Sequence, residues 1–182
     1  MPTTFYVRPQ TFLTANFQLY LGATYERGPT STSFTVNTVA GATFIPIADY
    51  ITPPLEPFTL AGSISANLRG SESNAQANAT LAVRILRFNA VDNTTTTVTL
   101  LSSATELGTT EAARTMSATP PSTAISAGDR IQFTVAAVNV GSMGGGRTVT
   151  FNFNGPTAGA SGDSFITFTE TIKFRNRAVV FG

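Results

Sequence analysis

Apolar and polar residues alternate at a period of two along most of this chain. In the stretch from Phe58 to Arg69, Phe58, Leu60, Ile64 and Leu68 fall on one side with small Gly62 and Ala66 between them. Thr59, Ser63, Ser65, Asn67 and Arg69 fall on the other. That period is the mark of a strand with one buried face, so a strand is predicted over Phe58–Gly70. Ala77–Phe88 follows, with Leu81, Val83 and Ile85 facing the core and Ala82 and Arg84 facing out. Its phase blurs near Leu86 and Phe88, as a bulge or two-sided burial would make it. Val91–Thr94 is a turn, and Thr95–Leu101 returns as a hairpin partner; its consecutive threonines favour strand over helix.

Ser102–Thr123 is less regular. Thr110–Arg114 fits a short helix and Arg114–Ala118 fits a strand; the pattern leaves both open, and Pro120-Pro121 ends either. In Arg130–Val140, Ile131, Phe133, Val135 and Ala137 alternate with Gln132, Thr134 and Ala136. Gly141–Gly146 predicts a mobile hairpin tip. Arg147–Asn154, with Val149, Phe151 and Phe153 on one face, and Ser164–Phe174 then complete a predicted three-strand meander. Glu170 interrupts the apolar row of Ile166, Phe168, Ile172 and Phe174, which places it near a sheet rim or an interface.

Residues 1–57 read differently. Phe5–Phe12 is an extended arm broken by Pro9, Phe17–Leu21 a short strand, and Ser33–Val39 and Thr43–Ile47 β-prone runs, the second at an edge because of Pro46. The prolines of Thr52–Pro57 make a stiff join, or an ordered loop inside one domain. The expected division is an N-terminal arm with short strands (1–57), a β-sandwich (58–174) and a C-terminal arm (175–182). The expected fold class is all-β, a jelly-roll-like β-sandwich with extended N- and C-terminal arms. An immunoglobulin-like strand order fits the same pattern.

Composition narrows the chemistry. The 182 residues contain no cysteine and no histidine, which removes disulfides, thiol catalysis, the usual imidazole base and the commonest transition-metal ligand. Charged residues are 12% of the chain, about half of the ~25% typical of soluble domains. Net charge is +1, so nothing drives binding to nucleic acid. The N-terminus lacks the pattern of a secretory signal, and no apolar run approaches the ~20 residues that span a bilayer. Of eleven basic residues only Lys173 is a lysine. Arginine is enriched and lysine depleted in interfaces, so the skew fits either surface covered by partners or a bias of composition.

The run Ala127-Gly128-Asp129-Arg130-Ile131-Gln132-Phe133-Thr134-Val135 resembles a feature of trimeric jelly rolls of the tumour-necrosis-factor/C1q type, in which a Gly-Asp turn precedes a long core strand. The pattern of Phe58–Phe174 as a whole resembles accessory virion proteins of tailed bacteriophages, small Cys-poor β-sandwiches rich in Thr and Gly. That resemblance implies a capsid-decorating, cementing or tail-associated role, commonly as a trimer, on a virion assembled in a host cytoplasm. It carries over no site residue.

Candidate chemistry is sparse. A paired-carboxylate glycosidase would draw on Glu56, Glu72, Asp129, Asp163 and Glu170, and calcium on Asp129, Asn154 and Asp163, but turn chemistry already accounts for Asp129 and Asp163. Gly141–Gly146 joins strands and opens no helix, so it is no phosphate loop. A glycan ligand, held by Tyr6, Tyr20, Tyr25 or Tyr50, is the alternative to a structural role. The expected function is a non-enzymatic structural virion protein without cofactor or metal. Its expected partners are copies of itself, as a trimer, and other virion proteins such as the major capsid protein. The expected contacts are the apolar ends, Phe5, Tyr6, Arg8 and Phe12 at one and Arg175, Arg177, Val179, Val180 and Phe181 at the other.

Overall fold

The computed structural model describes residues 2–6, 17–18, 20–21, 33–152 and 164–175. In chain order these form β1 (Thr3–Tyr6), β2 (Phe17–Gln18), β3 (Tyr20–Leu21), β4 (Ser33–Asn37), β5 (Phe44–Ile51), β6 (Phe58–Leu60) and β7 (Ile64–Glu72). A 3-10 turn at Ala75–Ala77 precedes β8 (Ala79–Asn89), β9 (Thr94–Ser102), β10 (Ala112–Ala118), β11 (Thr123–Ile125), β12 (Arg130–Asn139), β13 (Thr148–Asn152) and β14 (Phe165–Phe168).

Two sheets enclose the core. One runs β5–β12–β8–β9 with β2 added beyond β5; the other runs β4–β13–β7–β10 with β14, β1 and β3 added alongside. The four-strand sets are antiparallel throughout. Successive strands β4, β5, β7, β8, β9, β10, β12 and β13 distribute between the sheets as two interleaved Greek keys, the order of a double-sheet jelly roll. The fold is therefore all-β and a jelly roll, and the immunoglobulin-like order is set aside.

Long-range pairing revises several local expectations. The predicted meander does not form: β12 lies inside one sheet, while β13 and β14 lie in the other, end to end along β7. Alternation marks a strand but says nothing of its partner. The predicted strand from Phe58 divides at Ala61–Ser63, with β6 pairing to β11 and β7 entering the main sheet. A β-carbon on Gly62 would sit 2.0 Å from Thr169 Oγ1 and 2.8 Å from Glu170 Oε1, so a larger residue here would displace both side chains. Ser102–Thr123 holds strand β10, which pairs with β7 from Ala112 to Ala118; the pairing settles strand over helix.

The glycine-rich tip is anchored. Met143 is buried, the Gly144 amide donates to the Ala77 carbonyl at 3.0 Å, and Gly146 donates to Thr38 at 3.2 Å. Ala82, expected to face out, is fully buried, because the centre of this sheet is covered on both faces around Thr134, Ala136 and Val138. The bulge expected near Leu86 falls between Ile85 and Leu86 in the β8–β9 pair.

The strands before residue 57 share the core of those after it. β5 lies along β12 from Phe44 to Ile51, with a register shift opposite Pro46, and β1 lies along β14. The proline-rich join is an ordered loop. Leu55 is fully buried, its amide donates to the Asp129 carbonyl and its own carbonyl accepts from Gly128. Phe5 of β1 enters the interior and meets Phe133 at 5.6 Å, Phe168 at 5.8 Å and Phe174 at 6.4 Å between ring centroids.

Phe5→Ala is expected to lower unfolding stability by about 3–5 kcal/mol, the usual cost of truncating an enclosed Phe. Chemical denaturation followed by circular dichroism measures it, and a loss near zero would mean that β1 frays without consequence.

Candidate functional site

The residues expected to form contacts at the chain ends are placed in different settings. Phe5, expected on an arm reaching a neighbour, is fully enclosed by its own chain, because β1 adds to the sheet beside β14 and turns the ring inward. Tyr6 pairs through its backbone with Phe165 and Tyr20. Arg175 is exposed; its amide donates to the Pro54 carbonyl at 2.9 Å and its guanidinium reaches over Gly128. Arg8, Phe12, Arg177, Val179, Val180 and Phe181 lie outside the described residues, as do Tyr25, Asn154 and Asp163. Among the tyrosines weighed for glycan binding, Tyr50 is 1% exposed and offers no stacking surface; burial and the neighbouring Asp49 carboxylate push its phenol well above the usual range.

The candidate carboxylates serve separate loops. Glu170 Oε1 accepts from the Ala61 amide at 2.8 Å and also from Gly62, closing the break between β6 and β7. Sequence alone placed Glu170 near a rim or an interface; the structure adds the amides that hold it. Glu56 is exposed, and its amide donates to the Lys173 carbonyl. Asp129, in the Gly-Asp turn before β12, is fully buried. Its Oδ2 accepts from the Ser126 amide at 2.8 Å and from Arg87 Nε at 2.7 Å, and its Oδ1 accepts from Ala90 at 3.1 Å. Burial alone would raise its pKa, but the Ser126 and Ala90 amides and the Arg87 guanidinium together hold it below the ordinary value. Gly128, at φ +95°, provides the left-handed turn that aims this carboxylate at the base of the β8–β9 hairpin.

Glu72 closes β7 and is 2% exposed. Its Oε2 accepts from the Ala79 amide at 3.4 Å. The Glu106 carboxyl, from the loop between β9 and β10, lies against it. Oε1 of each is buried without a hydrogen-bond partner. Burial first, and then Glu106, raises the Glu72 pKa to about 7 against the pull of the Ala79 amide and Arg114. Arg114 meanwhile donates to the carbonyls of Thr105 and Glu106 and pins the same loop. Glu106 carried no signal in the sequence, since its neighbour Glu72 is remote in the chain. Among the described residues no three His, Cys, Asp or Glu side chains gather as a metal site would require.

The surface is formed mainly of neutral groups. On the outer face of the β7 sheet, hydroxyls stand opposite one another across strands: Thr4 meets Thr167 at 3.0 Å and Thr35 meets Thr150 at 3.3 Å. Ser65 lies between Ser117 and Thr167 in register. Several charged groups are tied within the chain: Arg69 to Glu111 at 2.6 Å, Arg87 to Asp129, Arg147 to Gln76 at 2.9 Å, and Arg84 over the Phe44 ring at 4.3 Å.

No protein-family model matches the chain, and no curated protein matches it in sequence. Solved structures share its fold. A CocE/NonD family hydrolase from Staphylococcus aureus superposes with a TM-score of 0.63 at 10% identity, over 92% of this chain and 36% of the hydrolase. A second crystal structure of the same hydrolase gives 0.60 at 9% identity, over 95% and 36%. The chain thus spans about a third of the length of these structures, and the likeness is one of fold. Eiger TNF from S. frugiperda gives a TM-score of 0.36 at 14% identity, over 81% of this chain and 93% of that one, too low to carry an argument.

Two opposed pH effects are expected. Glu72 holds its proton more tightly in the folded chain than in the unfolded one, so between its ordinary 4.5 and about 7 the stability it contributes falls as pH rises. Glu72→Gln should flatten that slope in denaturant midpoints taken across the range; an unchanged slope would dissociate it from the pair. Asp129 loses its proton more readily when folded, so its contribution is present above its ordinary 3.8 and fades as pH drops through its lower folded value. Asp129→Ala should cost about 1–3 kcal/mol, since it leaves the Ser126 and Ala90 amides without their acceptor.

Proposed function

We propose that this chain is a non-enzymatic structural subunit of a virus particle, a jelly-roll module of a tailed-phage virion that associates with copies of itself and with the major capsid protein as a decoration or cement subunit. The supporting observation is how its few charges are used. Arg69, Arg84, Arg87, Arg114, Arg147, Asp129 and Glu170 are engaged in staples within the chain. The outer face of one sheet presents rows of paired hydroxyls instead. Neutral hydroxyls cost far less to desolvate than charges, and interface centres are depleted of charge. A surface of this kind suits contact with neighbours on a shell better than solitary life in water, where dispersed charge keeps proteins apart.

The non-enzymatic reading draws support from the carboxylates weighed for glycosidase chemistry. Among the described ones, Asp129 and Glu170 are held by backbone amides of their own loops, and Glu72 faces Glu106 inside the sandwich edge. The likeness to CocE/NonD hydrolases concerns the path of the chain, and the sequence contains no histidine to serve as a triad base.

Light scattering on the purified chain should return the mass of an oligomer. Particles stripped of the chain should lose heat resistance and regain it on add-back. A strictly monomeric chain that leaves particle stability untouched would overturn the proposal.

A further inference from the structure

β9 ends its sheet. β8 lies on one side, and among the described residues nothing pairs with the other side. The strand reads TTTTVTLLS. Thr94 to Thr97 are all exposed, and Leu100 is 46% exposed. In an antiparallel edge strand, alternate residues turn N–H and C=O outward, ready to accept another strand. Natural sheets blunt such edges with lysine, proline, inward charge or a covering loop. β9 has no lysine, no proline and no charge; its one irregularity is the bulge opposite Ile85 and Leu86. The other edge on this flank, β10, carries Arg114, and Glu111 stands just before it.

We propose that β9 is a pairing edge and that its occupant is β9 of a second copy, running antiparallel across a twofold axis. The charge pattern singles out a second copy. In a twofold pair every residue meets the same short segment, so a charge near the axis would meet its like. Among the described strands longer than five residues, β9 alone has no charged side chain. The bulge reverses the alternation at Val98, so Thr96 and Leu100 lie on opposite faces; the copies therefore pair through the regular, exposed run Thr94–Thr97, threonine against threonine. Such β-branched cross-strand neighbours stabilise sheets. Two five-stranded sheets then join as one continuous sheet, an isologous contact. This deepens the self-association reading, on which it rests, and names its surface. Copies come in pairs, which replaces the expected trimer with an even number.

The chain has no cysteine, so single cysteines report contacts cleanly. Light scattering on the wild type should return an even-numbered assembly. Thr96→Lys should halve that mass, with the unfolding midpoint unchanged by circular dichroism, because an exposed threonine carries no packing. Cysteines placed singly at Thr94, Thr95, Thr96 and Thr97 should form intermolecular disulfides on mild oxidation. The yield should peak at the position nearest the axis and fall on either side, since only there do two β-carbons approach within bonding reach. An oligomer whose mass ignores Thr96→Lys, with no crosslink above that of a control cysteine at Ser73, overturns the pairing edge and leaves self-association standing. A wild type that stays monomeric at every concentration overturns both.

Discussion

The contact on which the rest of the structure depends is the meeting of Phe5, Phe133 and Phe168. Their ring centroids lie within 5.8 Å of one another in tilted and edge-on arrangements. Phe133 comes from the centre of one sheet, and Phe5 and Phe168 come from the other. Each ring adds roughly 1.5–3 kcal/mol of burial, and each aromatic pair a further ~0.5–1.5 kcal/mol. The cluster fixes the two sheets face to face and brings strands from near both ends of the chain into one interior.

Around that interior, charge acts as a set of local fasteners. Asp129 ties the turn before β12 to the base of the β8–β9 hairpin, Glu170 closes the break between β6 and β7, and Arg114 binds the loop leading into β10. A chain with 12% charged residues that places so many of them in such work leaves its faces to threonine and serine. The same economy pins several loops and leaves one outer sheet face to neutral hydroxyls, and the proposed role draws on both.

Local pattern in the sequence was enough to identify the strands whose alternation is strict. Ile131, Phe133 and Val135 all point inward as their spacing predicts, and the blurred phase near Leu86 is a true bulge. It could not reveal partners. The expected meander failed because alternation is the same whether a strand hydrogen-bonds to its chain neighbour or crosses to the opposite sheet. The Phe58 strand divided because its break depends on Thr169 and Glu170, remote in sequence. β10 was ambiguous because helix and strand propensities are balanced there and only the ladder with β7 decides. Ala82 turns away from the core cluster as its spacing predicts, yet it is buried because a small side chain at the middle of a sheet is covered by its neighbours. Of the site residues, Asp129 was visible as a turn residue, whereas the Glu72–Glu106 pair arises from tertiary proximity alone.

β13 and β14 form, in effect, one ladder along β7 with an opening between them. Asn152 is paired to Arg69 and Phe165 to Asn67. Buried Ser164 bridges the opening, its hydroxyl donating to the Asn152 carbonyl at 2.7 Å and accepting from the Arg69 amide at 3.0 Å. One side chain thus does what a missing peptide unit would have done, and it holds two separate strands in a single alignment along β7.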